Sequence, residues 1–227
     1  MRASAPSRWI SYYLHWDHIG DSTEFPSALL ILGPGAIEYA APGYPTLPDA
    51  AFLGSVFSHP GGVRELSRIK DDWKTFPPFE RAYDFFSDGS FFLVDAPGHM
   101  PGHLIAVART SLAGDAPEYM IMGGDCCHHR ALFTGEAEIG VGFGPTGLPS
   151  LHLDLDAARK TIGRVGELGK KDNMLVCLAH DAYLYPPLHL FPENINGWRE
   201  RGVKEKIEIE KNTRKEDIRP CPLDVHT

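Results

Sequence analysis

Four short polar motifs, each at the end of an apolar run, constrain this chain more than its composition does. They are His15-Trp16-Asp17-His18, Pro97-Gly98-His99 after residues 91–94, Gly124-Asp125 after residues 119–122, and His180-Asp181 after residues 174–179. If the apolar runs are strands, their polar ends meet at one edge of a sheet and line a shared cleft. Imidazole nitrogen and carboxylate oxygen are the usual ligands of a catalytic zinc ion. The pattern therefore predicts a metal site.

Each motif taken alone also has a simpler interpretation. His15, Asp17 and His18 could form a polar turn without metal, and Asp125 could begin a turn after two glycines. Two loop histidines, His99 and His103, could cap backbone carbonyls, and His180 with Asp181 could be a buried pair at a strand end. The order of the four motifs along the chain is what favours the metal site over these alternatives.

The order H-x-D-H, P-G-H, G-D, H-D spans roughly residues 9 to 200. It resembles the metallo-β-lactamase superfamily, and within it the lactonase or fungal-type metallo-hydrolase branch. The resemblance implies an α+β fold, an αβ/βα sandwich with the metal groove between its two sheets. It also implies two Zn²⁺ ions. Carried over by motif position, His15 and His99 bind the first ion, Asp17, His18 and His180 bind the second, and Asp125 bridges both.

Two departures from the family pattern H-x-H-x-D-H matter. Tyr13 stands where the family has its first histidine, and a neutral phenol with a pKa of about 10 is a poor zinc ligand. The second site (Asp17, His18, Asp125, His180) is therefore expected to fill more readily than the first. Few residues precede the motif, so the sequence resembles an N-terminally truncated member with an incomplete first sheet. We expect an exposed sheet of that kind to favour self-association.

The resemblance implies a zinc-dependent hydrolase in which a metal-bound hydroxide attacks an ester, lactone or thioester carbonyl. The partner is then a small-molecule acyl substrate. Asp17, or a bound water, is expected to carry the proton to the leaving group. His128 occupies the position three residues beyond the bridging aspartate, where lactonases have a tyrosine near the substrate carbonyl, and it could donate a hydrogen bond to the oxyanion. An exposed loop histidine is the alternative for His128.

Two other functional interpretations stay open at this point. A single-iron catalyst would use the first metal position, which is the position that Tyr13 weakens, so it ranks below the zinc hydrolase. A non-catalytic remnant of the family, retaining at most one zinc, is the other. The same tyrosine and the short N-terminal region support it.

Composition limits the partners. The formal net charge of −8 argues against nucleic acid, which demands a basic surface, and against anionic membranes. No apolar run has the length of a membrane span, and the four cysteines do not form a secretory framework. We therefore expect a cytoplasmic protein.

Residues 1–8 are predicted to be a flexible N-terminus, 9–202 one metallo-β-lactamase-like domain, and 203–227 a charged tail in which 203–215 form a solvated helix or a frayed end. The periodicity of apolar residues predicts a helix over 154–168. Further predictions are a short helix within 63–74, a hairpin from 81–86 and 90–94, and irregular loops over 41–60 and 126–150.

Overall fold

A computed structural model of the chain describes residues 8–10, 14–112, 116–142, 150–190 and 192–214. Tyr13 and residues 215–227 lie outside the described residues. A first sheet contains β1 (Arg8–Ile10), β2 (Leu29–Leu32) and β3 (Val63–Glu65), all parallel. A second sheet contains β4 (Trp73–Phe76), β5 (Phe79–Asp84), β6 (Phe91–Asp95), β7 (Leu104–Ser111), β8 (Glu118–Met122) and β9 (Met174–Cys177). Its strands are antiparallel except for the parallel pair β8–β9.

The two sheets pack face to face because alternate residues of each strand point to opposite sides. In β7, Leu104 and Ala106 face the first sheet and contact a cluster that includes Ile31 of β2. Ile105 and Val107 face the other way, toward the helix α4 (Leu155–Gly169). The outer face of the first sheet is covered by the short helices α1 (Trp16–Ile19) and α2 (Ala36–Ala40). These layers confirm the predicted αβ/βα sandwich.

The predicted hairpin is confirmed by the pairing of β5 with β6, and the predicted helix over 154–168 is confirmed as α4. Asp154 caps α4, since its side chain accepts a hydrogen bond from the N–H of Ala157. The buried residues Ala158, Ile162, Val165 and Leu168 of α4 form the apolar stripe that the periodicity predicts.

The predicted helix within 63–74 is wrong. Its ends form β3 and β4, which pair with β2 and β5. Asp71 stabilises the connection between them by accepting a hydrogen bond from the Ser67 N–H and by forming an ion pair with Arg64. Sheet pairing at both ends thus overrides a helical propensity that is weak by itself. The loop predicted over 126–150 also contains a short helix, α3 (Arg130–Thr134).

The predicted charged tail is only partly solvated. It begins with helix α5 (Val203–Arg214), in which Val203, Ile207 and Lys211 are buried. The two apolar residues pack with Trp198 against Leu175 and Cys177, on the face of β9 that α4 does not cover. Helix α5 therefore supplies part of the core, and its many charged residues do not indicate that it packs against β9. Among the described residues, no helix is both long and apolar enough to cross a membrane.

Candidate metal centre

The H-x-D-H segment is one turn of helix. His15 stands at the N-terminus of α1, and its carbonyl accepts hydrogen bonds from the N–H groups of His18 and Ile19 at 3.1 Å. Buried Ile19 anchors the turn in the core. The turn separates His15 from Asp17 and His18. The segment therefore supplies potential ligands to two different groups of side chains.

The glycines of the P-G-H motifs explain why that loop is rigid. Gly98 has a φ of +131°, and a Cβ there would lie 2.4 Å from the backbone of Ala158 in α4. Gly102 has a φ of +81°, and its Cβ would lie 2.5 Å from Ala36 in α2. Only glycine combines these φ values with such close contacts. The loop is thereby held between two helices, and it buries His99 next to the first ligand segment.

A Gly98→Ala substitution is expected to destabilise the fold by about 2 kcal/mol or more, because the new Cβ meets backbone rather than a movable side chain. Gly163→Ala is the matched control. Gly163 lies on the exposed face of α4, and a Cβ added there would have nothing within 4 Å, so alanine should stabilise the helix by about 1 kcal/mol. Urea denaturation measures both. Equal stabilities of the two variants would contradict the packing argument.

The Asp125 carboxylate lies at the centre of the site. Its Oδ2 is 3.2 Å from His128 Nε2, 3.4 Å from His18 Nε2 and 3.7 Å from His99 Nε2. Its Oδ1 is 3.3 Å from His180 Nε2. The carboxylate is buried, and it follows β8 where the parallel strand β9 also ends. Four imidazoles from three loops and one helical turn therefore converge on one acidic group.

The potential ligand atoms form two groups. One, called the first metal position, contains His15, His99 and Asp125, and the other, the second metal position, contains Asp17, His18 and His180. His99 Nε2 is 3.1 Å from His15 Nδ1, and His18 Nε2 is 3.2 Å from Asp17 Oδ2. Ligand atoms of a tetrahedral zinc are about 3.3 Å apart, given bonds of about 2.0–2.1 Å. The donor types and spacings thus fit zinc at both positions.

Burial keeps the imidazoles of the first position neutral, which is the form that binds metal. Burial lowers the pKa of His15, and it lowers the pKa of His99 to about 2, with the neighbouring imidazoles His103 and His128 acting in the same direction. The second position is more open: the side chains of Asp17 and His180 are 34% and 45% exposed. The second position therefore lies on the side of the site that is open to solvent.

His103 is close to the site but faces the backbone behind Asp125. Its Nε2 accepts a hydrogen bond from the Asp125 N–H at 3.1 Å, so the ring holds the loop that presents the carboxylate. Complete burial lowers the pKa of His103 to about 3. The interaction requires a neutral ring, because protonated Nε2 cannot accept a hydrogen bond.

The pKa of His103 predicts a loss of stability in acid. The unfolded chain binds the proton at a pKa of 6.5 and the folded chain only near 3, so the metal-free protein should lose stability as the pH falls from about 6.5. A His103→Gln variant keeps an acceptor for the Asp125 N–H and removes the titrating group. We measure the free energy of unfolding in urea with chelator from pH 4 to 6. In the variant its slope against pH should be smaller than in the parent chain, by the equivalent of about one proton taken up on unfolding. Identical slopes for the two proteins would refute the assignment.

Two features of the site were missed by sequence reasoning. His152 is buried, and its ring lies 5.5 Å from that of His99 and 5.3 Å from that of His128. The buried ion pair Arg130–Asp181 ties the loop after β8 to the loop after β9. Neither has a local sequence signal, because His152 comes from an irregular segment and Arg130 pairs across 51 residues.

No protein-family model matches the chain. It is 38% identical over 219 residues to the metallo-hydrolase mfmC of Annulohypoxylon moriforme, covering 84% of this chain and 56% of that protein. It is 32% identical over 227 residues to the gamma-lactamase FDB1 of Fusarium pseudograminearum, covering 84% of this chain and 54% of that protein. The chain thus spans about half the length of these curated relatives.

Among solved structures, the fold matches a mutant of B. thuringiensis AiiA that has N-decanoyl-L-homoserine bound at its active site. The TM-score is 0.56 at 21% identity, over 82% of this chain and 60% of that one. The layered sandwich and its His/Asp centre define a metallo-β-lactamase-like protein. The chain belongs to the metallo-β-lactamase superfamily, on the branch of the lactonases and fungal metallo-hydrolases.

Proposed function

We propose that the chain carries the metal centre of a zinc-dependent hydrolase that cleaves an ester, lactone or thioester. The observation that supports this most is the pair of ligand groups around one buried carboxylate, Asp125. Zinc held there by His15, His99, Asp17, His18, His180 and Asp125 would supply a water activated near neutral pH and would polarise the carbonyl. The relatives support hydrolysis in general, since they are a metallo-hydrolase and a gamma-lactamase, an enzyme that opens a cyclic amide.

The residues of the chain have distinct tasks in this proposal. Asp17 is partly exposed at the open side, where its carboxylate can pass a proton to the leaving group. Phe52 stacks on the His15 ring at 5.8 Å and Trp16 is 77% exposed beside the ligands, so both offer apolar surface to an acyl group. For His128, a hydrogen bond to the substrate oxygen stays a prediction from the sequence, and its contacts support a different role, argued below.

The test is a combined metal and activity measurement. Protein purified without chelator should contain about two zinc ions per chain by mass spectrometry, and it should hydrolyse an acyl-homoserine lactone, a nitrophenyl ester or an acyl thioester. A chelator should abolish turnover, and zinc should restore it. Two bound ions without turnover on any of the three substrates would favour the non-catalytic remnant. A well-folded protein that binds no metal would contradict the hydrolase proposal.

A further inference from the structure

We propose that His128 is a ligand of the first metal position and gives it a third imidazole. This assignment rests on the proposed metal centre and deepens it. Zinc in proteins is almost always four-coordinate in structural sites, and catalytic sites have three protein ligands plus a water. The described ligands of the first position number three, His15, His99 and the shared Asp125. Since Asp125 also serves the second position, the first position has only two donors of its own, and a third imidazole would give it the three protein ligands of a catalytic zinc beside the shared carboxylate.

His128 is the imidazole that lies nearest to Asp125 Oδ2 among the described residues. The distance of 3.2 Å from its Nε2 is shorter than those of His18, 3.4 Å, and His99, 3.7 Å. All three distances match the separation of about 3.3 Å between donors on one tetrahedral zinc. The same distance also fits a hydrogen bond from His128 to the carboxylate, and the metal-binding test below separates the two roles.

The ring separations place His128 nearer to the first position than to the second. Two imidazoles on one tetrahedral zinc have their ring centroids about 5.2 Å apart, from the Zn–N bond length and the size of the ring. The His128 ring lies 5.1 Å from that of His99 and 5.8 Å from that of His180. The two imidazoles already placed at the first position, His15 and His99, are 4.9 Å apart. His128 therefore belongs with His99.

The surroundings hold His128 in this place. It follows Asp125 by three residues in the loop between β8 and α3, and its side chain is only 23% exposed. The buried ring of His152 packs at 5.3 Å against His128 and at 5.5 Å against His99, which limits how either ring can turn. An ordinary exposed loop histidine has no such contacts.

Metal binding in two variants separates this role from a hydrogen bond to substrate. His128→Gln keeps a hydrogen-bond donor but is a poor zinc ligand, whereas His128→Cys replaces the imidazole with a thiolate ligand. His189→Ala is the matched control, because it removes a histidine that pairs with Glu193 outside the site. Each protein is dialysed against buffered Zn²⁺ for stoichiometry and affinity, and against Co²⁺ for its absorption spectrum, with circular dichroism to check folding.

We expect about two metal ions in the parent chain and in His189→Ala. In His128→Gln, the zinc affinity of the first metal position should fall by about a hundredfold or more. That loss exceeds the one expected from removing a residue that only hydrogen-bonds to a metal ligand. His128→Cys should retain two ions and show a thiolate-to-cobalt charge-transfer band. Two ions at parental affinity in His128→Gln, or a Cys variant without that band, would overturn the assignment and leave the hydrolase proposal intact. A parent chain that binds no metal would overturn both.

Discussion

The Asp125→Asn variant is expected to bind at most about one metal ion per chain and to lose at least about a thousandfold in hydrolytic rate. Asn has the shape of Asp but no negative charge, and its amide nitrogen cannot accept metal. Both metal positions lose their shared ligand, since the two oxygens of Asp125 face imidazoles of both groups. A thousandfold loss corresponds to about 4 kcal/mol of transition-state stabilisation, within reach of metal catalysis.

Metal content by mass spectrometry and kcat/KM on the best substrate measure this effect. Asp156→Asn is the matched control, because Asp156 lies on α4 with its side chain 87% exposed. The control should keep parental metal content and rate. An Asp125→Asn protein with two bound ions and parental rate would show that Asp125 does not join the two positions.

The Asp181→Ala variant is expected to lose about 3–5 kcal/mol of stability. The Asp181 side chain is fully buried, and its Oδ2 accepts from Arg130 Nη2 at 2.7 Å and from Nε at 3.0 Å. Removing one partner of a buried ion pair leaves the other charge uncompensated, which costs about that much. Glu208, 3.8 Å from Arg130, is too exposed to replace the lost carboxylate. The melting temperature should fall by roughly 6–20 °C for a chain of this length.

The loss should be partly reversed in the double variant Arg130→Met, Asp181→Ala, because the buried charge is then gone as well. Asp156→Ala tests the exposed pair Arg159–Asp156 and should cost no more than about 1 kcal/mol. Urea denaturation of the parent chain and these three variants compares the costs directly. If Asp181→Ala cost as little as Asp156→Ala, the buried pair would contribute little to holding the two site loops. His180 directly precedes Asp181, so we also expect weaker metal binding in Asp181→Ala.

The residues that fit the metal centre are identifiable from the sequence because each stands in a short motif. A helical turn places His15 and His18, strand ends place Asp125 and His180, and glycines with positive φ place His99. These are local effects of chain geometry, and they depend on a few neighbouring residues. The sandwich was implied by the resemblance to the superfamily, whereas apolar runs and helical periodicity predicted β5, β6 and α4 near their actual bounds.

The failures of sequence reasoning have a different physical origin. Residues 63–74 carry a helical pattern, yet their two ends pair with different sheets, and such pairing depends on residues distant in the chain. Helix α5 is rich in charge, and its few apolar residues are buried because they pack on the face of β9 that α4 does not cover. The predicted cytoplasmic location and self-association stay predictions.

By itself, the sequence determined which side chains could bind metal, because they stand in short motifs, and the order of those motifs indicated the class of fold through its resemblance to a known superfamily. The tertiary structure alone decided that His103 accepts a hydrogen bond from the backbone of Asp125 and that the ring of His152 packs against those of His99 and His128. It also decided that His128 approaches the shared carboxylate and that Arg130 is paired with Asp181. Except for the contact between His128 and Asp125, which are three residues apart, these contacts join segments distant in the chain, and only packing of the sheets and their loops brings them together.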